Sequence, residues 1–351
     1  MKTGILTYHR AYNYGAVLQC YALQEVLRGL GHEVSVIDYR QPDIERFYAY
    51  RRVKKRTLLS PLRDLKRLVI HAGYKSVFES FQQRRLRLTE AYTDRIPADF
   101  DRYVIGSDML WAYDAESKAF EPFYFGEFSR RPDSRLVGYA ISGTTDSFRR
   151  LGEERRFDFC ANFDALSIRE KSLAEIVGAC TGKEPVCCLD PTLLTTKENW
   201  ADFSSPRRQG RKYLVTYFLR VRGKDLTALR EKVETLAREK GLETVNIDAM
   251  GSSLPMTVED FVSVIRGAQY VVSDSFHGIV FSLIFERPFH ALRLRDAHDA
   301  RYVDILHALG ADDLAVDLDY VPVIPEIDYA ALNGRLRQLR AGSLAFLKEN
   351  L

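Results

Sequence analysis

The chain has 351 residues, which at roughly 100–200 residues per domain predicts two domains of similar size and excludes a one-domain peptide binder or a disulfide-stapled mini-protein. Hydrophobic residues make up 46% and charged residues 28%, the balance of an ordered globular protein. The net charge of +3 hides one strongly basic stretch: Arg46 to Arg87 carries thirteen Lys or Arg against Asp64 and Glu79, or +11, leaving −8 for the remainder.

Five cysteines (Cys20, Cys160, Cys180, Cys187, Cys188), two of them adjacent and none in a CxxC pair, argue against a disulfide framework or a zinc knuckle and fit a reducing cytoplasm. The apolar run before His9 and Arg10 is too short for a signal-peptide core, and Gln19 argues against lipoprotein processing at Cys20. Ile279 to Phe285, the longest apolar run, falls far short of the ~20 residues that span a bilayer.

In chain order, Gly4–Tyr8 reads as a buried strand, Ala16–Leu30 as a helix with apolar side chains at helical spacing and Gly31 at its end, and Val34–Ile37 as the next strand. This is a strand, helix, strand unit of a parallel sheet. Further strands are expected at Tyr103–Ile105, Leu136–Ala140 and Val186–Leu189, with helices at Arg149–Phe157 and Glu170–Cys180. Ser204–Gly210 reads as a linker. After it come strand Tyr213–Leu219, helix Asp225–Lys240, strand Thr244–Ile247, helix Val258–Arg266, strand Tyr270–Val272, helix Phe276–Phe285, strand Phe289–Leu292, helix Tyr302–Leu309 and a terminal helix Tyr329–Glu349. The expected division is an N-terminal α/β domain over 1–205, with a basic helical insertion at about 44–90, and a C-terminal α/β domain over 206–351 that includes the terminal helix.

Open parallel sheets bind ligands at the carboxyl ends of their strands, so the polar strand-end segments are the candidates. The loop His9 to Gly15 is neither GxGxxG nor a Walker loop, and neither a dinucleotide nor ATP is indicated. Asp274-Ser275-Phe276-His277-Gly278 follows a strand and opens a helix. Asp274 or Ser275 caps it and His277 falls in its first turn, suited to hold a phosphate or donate a proton; the plainer reading is a cap and a half-buried histidine. Gly106–Trp111, Ser142-Gly143 and Ser167–Glu170 are weaker candidates, since Asp108 and Ser167 also suit helix caps and Arg169-Glu170 also suits a surface pair. No metal site is expected, because His290, His298 and His307 lack ligand spacing, and no GxSxG marks a serine hydrolase.

Seven ordered segments resemble the polysaccharide pyruvyl transferase family. They are Gly4-Ile5-Leu6-Thr7-Tyr8, Asn13-Tyr14-Gly15-Ala16-Val17-Leu18-Gln19, Val104-Ile105-Gly106-Ser107-Asp108 with Trp111, Tyr139-Ala140-Ile141-Ser142-Gly143, Ile168-Arg169-Glu170, Leu189-Asp190-Pro191-Thr192-Leu193-Leu194 and Ser273-Asp274-Ser275-Phe276-His277-Gly278. The resemblance implies two Rossmann-like domains facing across a cleft, as in GT-B glycosyltransferases. It also implies transfer of pyruvate from phosphoenolpyruvate, as co-substrate without a further cofactor, to a sugar diol on a cell-envelope or exopolysaccharide precursor. His277 matches the family's C-terminal histidine, near the donor phosphate; two places before it, where better-understood members carry arginine, this chain has Ser275. Arg293, Arg295 and Arg301 are candidate substitutes for that cation, with Ser275, His277 and Gly278 completing the donor side. Asp108 is the candidate base; Asn13, Tyr14, Gly15, Ser107, Trp111, Ser142, Gly143 and Arg169 are expected to line the acceptor side or the cleft. Asp190-Pro191 is expected to shape a turn.

The expected partner is a saccharide or lipid-linked oligosaccharide, with no nucleic acid. The basic stretch Arg46–Arg87 is either an insertion packed on the first domain or a peripheral contact with the anionic inner face of the membrane. Two alternatives share the architecture: a glycosyltransferase using a nucleotide sugar, and a non-catalytic sugar- or anion-binding relative.

Overall fold

The computed structural model describes all residues except 50–59, 114–118, 155, 205–209, 221–224 and 248–252. The expected linker and the cluster Arg51, Arg52, Lys54, Lys55, Arg56 therefore fall wholly or largely outside the described residues. Seven parallel strands form the first sheet: β1 (Lys2–Leu6), β2 (Glu33–Tyr39), β3 (Leu88–Tyr92), β4 (Arg102–Ile105), β5 (Arg135–Ile141), β6 (Ala165–Ile168) and β7 (Val186–Cys187). Their order is β3-β2-β1-β4-β5-β6-β7, with Ile5 opposite both Val36 and Val104. The second sheet contains β8 (Tyr213–Tyr217), β9 (Glu243–Ile247), β10 (Tyr270–Ser273), β11 (Phe289–Leu292) and β12 (Ala315–Val316), in the order β12-β11-β10-β8-β9, again all parallel. Central strands β8 and β10 are buried at every position, which is why they read as continuous apolar runs rather than alternating ones.

Each crossover helix starts where the sequence supplies a cap. Asn13 accepts from the amides of Gly15 and Ala16 to open the helix Tyr14–Gly29, and Gly31 leaves it at φ +90, a left-handed conformation that glycine adopts without strain. The helix expected at Arg149–Phe157 is displaced to Thr145–Glu153, because the Thr144 hydroxyl, five residues before the expected start, accepts from Ser147 N and caps the helix there. Strands β3, β6 and β12 were not legible in the sequence; β3 pairs with β2, so the insertion ends before Leu88. Within it lie the helices Pro42–Tyr48 and Ser60–Arg85.

The terminal helix Tyr329–Asn350 belongs to both halves rather than closing the second alone. Near its start Asn333 Nδ2 donates to Glu286 at 2.8 Å. Further along, Arg340 donates to Leu193 O at 2.7 Å, Ser343 Oγ accepts from Leu189 N at 2.9 Å, and Phe346 lies beside Tyr139. A direct contact also joins the halves: Tyr14 stacks on Phe261 with ring centroids 4.5 Å apart and donates from its hydroxyl to Met256 O at 3.0 Å.

Candidate active site

In the first sheet the chain moves outward from β1 through β2 to β3 and returns to the other side of β1 as β4; in the second, β9 and β10 flank β8 on opposite sides. The carboxyl ends at these two reversals are where doubly wound sheets leave a crevice. Both reversals open onto one cavity of about 450 Å³, lined from the first half by Tyr8, Asn13, Asp108 and Met109 and from the second by Leu219, Ser275, His277 and Arg301.

Ser275 caps the helix Phe276–Ile284, its hydroxyl accepting from Gly278 N at 3.3 Å. His277 follows in the first turn, and its ring lies so close to the opposite loop that a Cβ on Gly15 would fall 1.9 Å from Nδ1. Only glycine permits that approach. His277 Nε2, buried and without a hydrogen bond among the described residues, is 3.8 Å from Asp190 Oδ2. That distance is too long for a hydrogen bond and within reach of electrostatic pairing.

Beneath His277 lies a buried charged network. Arg169 reaches Glu170 at 2.7 Å, Asp190 at 3.0 Å and Ser142 Oγ at 2.9 Å, and its guanidinium covers the Phe276 ring at 4.1 Å. Thr192 donates to Asp190 from its amide and its hydroxyl at 3.0 and 2.7 Å. Burial alone would raise the Asp190 carboxyl, but His277, Arg169 and the Thr192 hydroxyl hold it well below the usual carboxylate range. Burial pushes Glu170 up, against the pull of Arg169 and Ser142. Burial likewise pushes Asp274 up although it accepts from the amides of Leu219 and Arg220 at 2.6 and 2.8 Å. Arg301, from the helix Ala300–Ala308, donates to His298 O and faces Met109 Sδ. It has no ion pair among the described residues. Burial first, then Arg169 and Arg220, push it down to about 10, so it remains a cation at neutral pH, desolvated on the cavity wall.

Asp108 stands at φ +80, an uncommon conformation for a residue other than glycine, with Oδ1 accepting from Met109 N at 2.9 Å. It reaches the cavity because Gly106, at φ +133, turns the chain against Tyr139 O, where no side chain fits.

Of the other sequence candidates, Asn13 lines the cavity and Gly15 lies against His277. Arg293 and Arg295 are not brought there: beyond β11 the chain turns toward β12, and both cations pair with Asp317, at 3.3 and 2.8 Å, with the Arg295 side chain 80% exposed. Trp111 is not a lining residue but sits in an aromatic cluster with Phe125 and Phe159, donating to Tyr124 O. Ser107, Ser142 and Arg169 are buried beneath the site, Gly143 packs against Phe148, Gly278 against Ser273, and Tyr14 at the contact between halves.

A family profile described as polysaccharide pyruvyl transferase matches residues 13–295. The chain belongs to the polysaccharide pyruvyl transferase family. It is thereby a polysaccharide-modifying transferase. No curated protein matches it. Among solved structures, a putative UDP-N-acetylglucosamine 2-epimerase from Listeria monocytogenes is similar over 100% of this chain and 91% of its own, at 12% identity and TM-score 0.51. The UDP-GlcNAc 2-epimerase from Methanocaldococcus jannaschii (9% identity, 96% and 92% covered, TM-score 0.49) and an E. coli heptosyltransferase (14%, 83% and 88%, 0.37) are also similar. The fold is thus α/β, two Rossmann-like units facing across a cleft in the GT-B manner.

Sequence reasoning missed two parts of this family member's site. Asp190 does shape a turn, capping the short 310 helix Pro191–Leu193, but its second oxygen joins Arg169 below His277. Arg169-Glu170 is a buried pair rather than a surface one. The available signal was two adjacent charges directly following the apolar strand end Ile168. The insertion also contributes Ile44, Phe47 and Tyr48 to the cavity wall.

Proposed function

We propose that the chain transfers the pyruvate unit of phosphoenolpyruvate to two hydroxyls of one sugar, forming a cyclic ketal on an envelope or exopolysaccharide precursor and releasing phosphate. The observation that carries this reading is the convergence of His277 and Arg301, which has no ion pair among the described residues, at the helix start Ser275–His277, on the wall of a cavity open to both sheet reversals. A helix start offers amides without intrahelical partners to a phosphate, and Arg301 offers a charge to phosphate or carboxylate. In this arrangement Arg301 takes the place of the arginine that other members carry where Ser275 stands.

His277, with Asp190 stabilising its imidazolium, donates a proton to the donor's methylene carbon, leaving an oxocarbenium-like centre at the neighbouring carbon. One sugar hydroxyl adds there and gives up its proton to Asp108. The carbon–oxygen bond to phosphate then breaks, phosphate leaves with its electron pair, and the second hydroxyl closes the ring with loss of its proton. Two carbon–oxygen bonds form, one breaks, and of the two hydroxyl protons one balances the methylene proton and the other leaves with phosphate or solvent. The test is incubation with phosphoenolpyruvate and diol-bearing saccharides, reading phosphate release and the mass increment of a ketal. Thermal stabilisation by a nucleotide sugar and not by phosphoenolpyruvate would overturn it in favour of glycosyl transfer.

A further inference from the structure

The helix Ser60–Arg85 has two unlike stretches. From Ile70 onward, Ile70, Tyr74, Phe78 and Phe81 recur at i, i+4, i+8 and i+11 and are buried, with Phe78 against Tyr12 and Tyr14. Before Ile70, four large apolar side chains stand in the open: Leu62, Leu65, Leu68 and Val69 are 66%, 58%, 47% and 51% exposed. Leu62, Leu65 and Val69 share one side at i, i+3 and i+7, which at ~100° per residue lies more than a third of a turn from the buried stripe. They are therefore not an extension of the core-facing side. Arg63, Lys66 and Arg67 alternate with them, all exposed, and none has an ion pair among the described residues.

The patch adjoins the site. The helix Pro42–Tyr48, which lines the cavity with Ile44, Phe47 and Tyr48, exposes Phe47 by 63% and is tied to the long helix by His71 Nε2 to Tyr48 O at 2.9 Å. We propose that this surface, Phe47 with Leu62, Leu65, Leu68 and Val69 among Arg63, Lys66 and Arg67, docks on an anionic lipid bilayer and holds the cavity mouth at the membrane surface. Exposed apolar side chains set among cations that have no ion pair among the described residues are the chemistry that anionic headgroups over an acyl layer recognise. A second copy of the chain would bring the three cations against their own copies, and like charges oppose such a two-fold contact. No helix among the described residues is long and apolar enough to cross a membrane, so the contact is peripheral.

The experiment is flotation of the full chain with vesicles of phosphatidylcholine alone or with phosphatidylglycerol, at low and high salt, without donor or acceptor. Its failure therefore leaves the proposed reaction standing. Binding is expected only with phosphatidylglycerol, weakening as salt rises. Changing Arg63, Lys66 and Arg67 together to Glu should lower binding by about a hundredfold, near fivefold for each cation. The triple variant Leu62→Ser, Leu65→Ser, Val69→Ser should lower it at least tenfold while melting like the parent, since those side chains are exposed. No binding at low salt overturns the proposal, as does unchanged binding in either variant. A lipid-independent dimer abolished by the serine variant, in sedimentation velocity, also overturns it and assigns the face to a second copy.

Discussion

His277 is held by contacts that act on its ring rather than on its backbone: Gly15 on one edge and the Asp190 carboxylate near Nε2. Its removal is a chemical change more than a packing one. His277→Gln should leave the melting temperature within a few degrees of the parent and lower ketal formation by about 10²–10⁴-fold; loss of the cooperative melt would make it a core residue instead. Asp190 acts differently, because Arg169 depends on it. Asp190→Asn leaves a buried guanidinium with Glu170 as its one carboxylate partner among the described residues and should cost about 3 kcal/mol in denaturant unfolding. The sign of its pH dependence follows. The folded chain holds Asp190 below its ordinary value, so its stabilisation is complete above the ordinary carboxylate range and is lost as pH falls toward the folded value; Asp38, paired with His9 and Arg10, behaves alike. Glu170 and Asp274, raised by burial, run the other way: their charged forms cost stability near neutrality, and that cost is relieved as pH falls through their raised values. The gap in stability between parent and Asp190→Asn should therefore narrow on acidification from about pH 7 to about pH 3, and a constant gap would remove the Asp190 charge from the account.

At the scale of elements, the site is two helix starts facing each other, one capped by Asn13 and the other by Ser275. Ser275 is buried and its hydroxyl satisfies Gly278 N, so Ser275→Ala should cost about 1 kcal/mol in thermal unfolding. An unchanged melt would mean that the cap is dispensable. Such starts were legible in the sequence, because a polar residue between an apolar strand and a periodic helix is a local signal, and both Ser275 and His277 fell where it pointed. Helix Val258–Arg266 and β11 have the predicted bounds for the same reason. Short edge strands carry less: β12 has two residues and β3 pairs at the margin of its sheet, so neither buries enough apolar surface to leave a pattern. The hardest part to read was the Arg169, Glu170, Asp190 network. The adjacent pair Arg169-Glu170 meets Ser142 and Asp190, more than twenty residues away on either side, only when β5, β6 and the segment after β7 lie side by side, and charged residues at strand ends look the same whether they are buried or solvated.

The whole molecule places one cavity where two sheet reversals face each other, so its geometry depends on how the halves are held. Besides Tyr14 on Phe261, the Asp304 carboxylate accepts from the amide and hydroxyl of Ser172 at 2.8 and 2.7 Å, which anchors the helix carrying Arg301 to the first half. The terminal helix adds the longest-range tie, because it starts on Glu286 and ends with Leu351 O accepting from Arg102 at 3.2 Å. Phe346 is a buried aromatic side chain of that final stretch, lying against Tyr139 next to the strand end that leads to Ser142. Phe346→Ala removes a large apolar group that neighbours cannot replace and should cost about 3 kcal/mol. Since the loss falls on the tie rather than on either sheet, hydrogen exchange should quicken over residues 340–351 and at the Tyr14 contact while the amides of β1, β4, β8 and β10 keep their protection. The donor's binding constant should weaken at the same time, because His277 and Arg301 are carried by one half while Asn13 and Asp108 are carried by the other. Uniform loss of protection across both sheets would instead make the helix a part of the common core, with no separate role in holding the cleft.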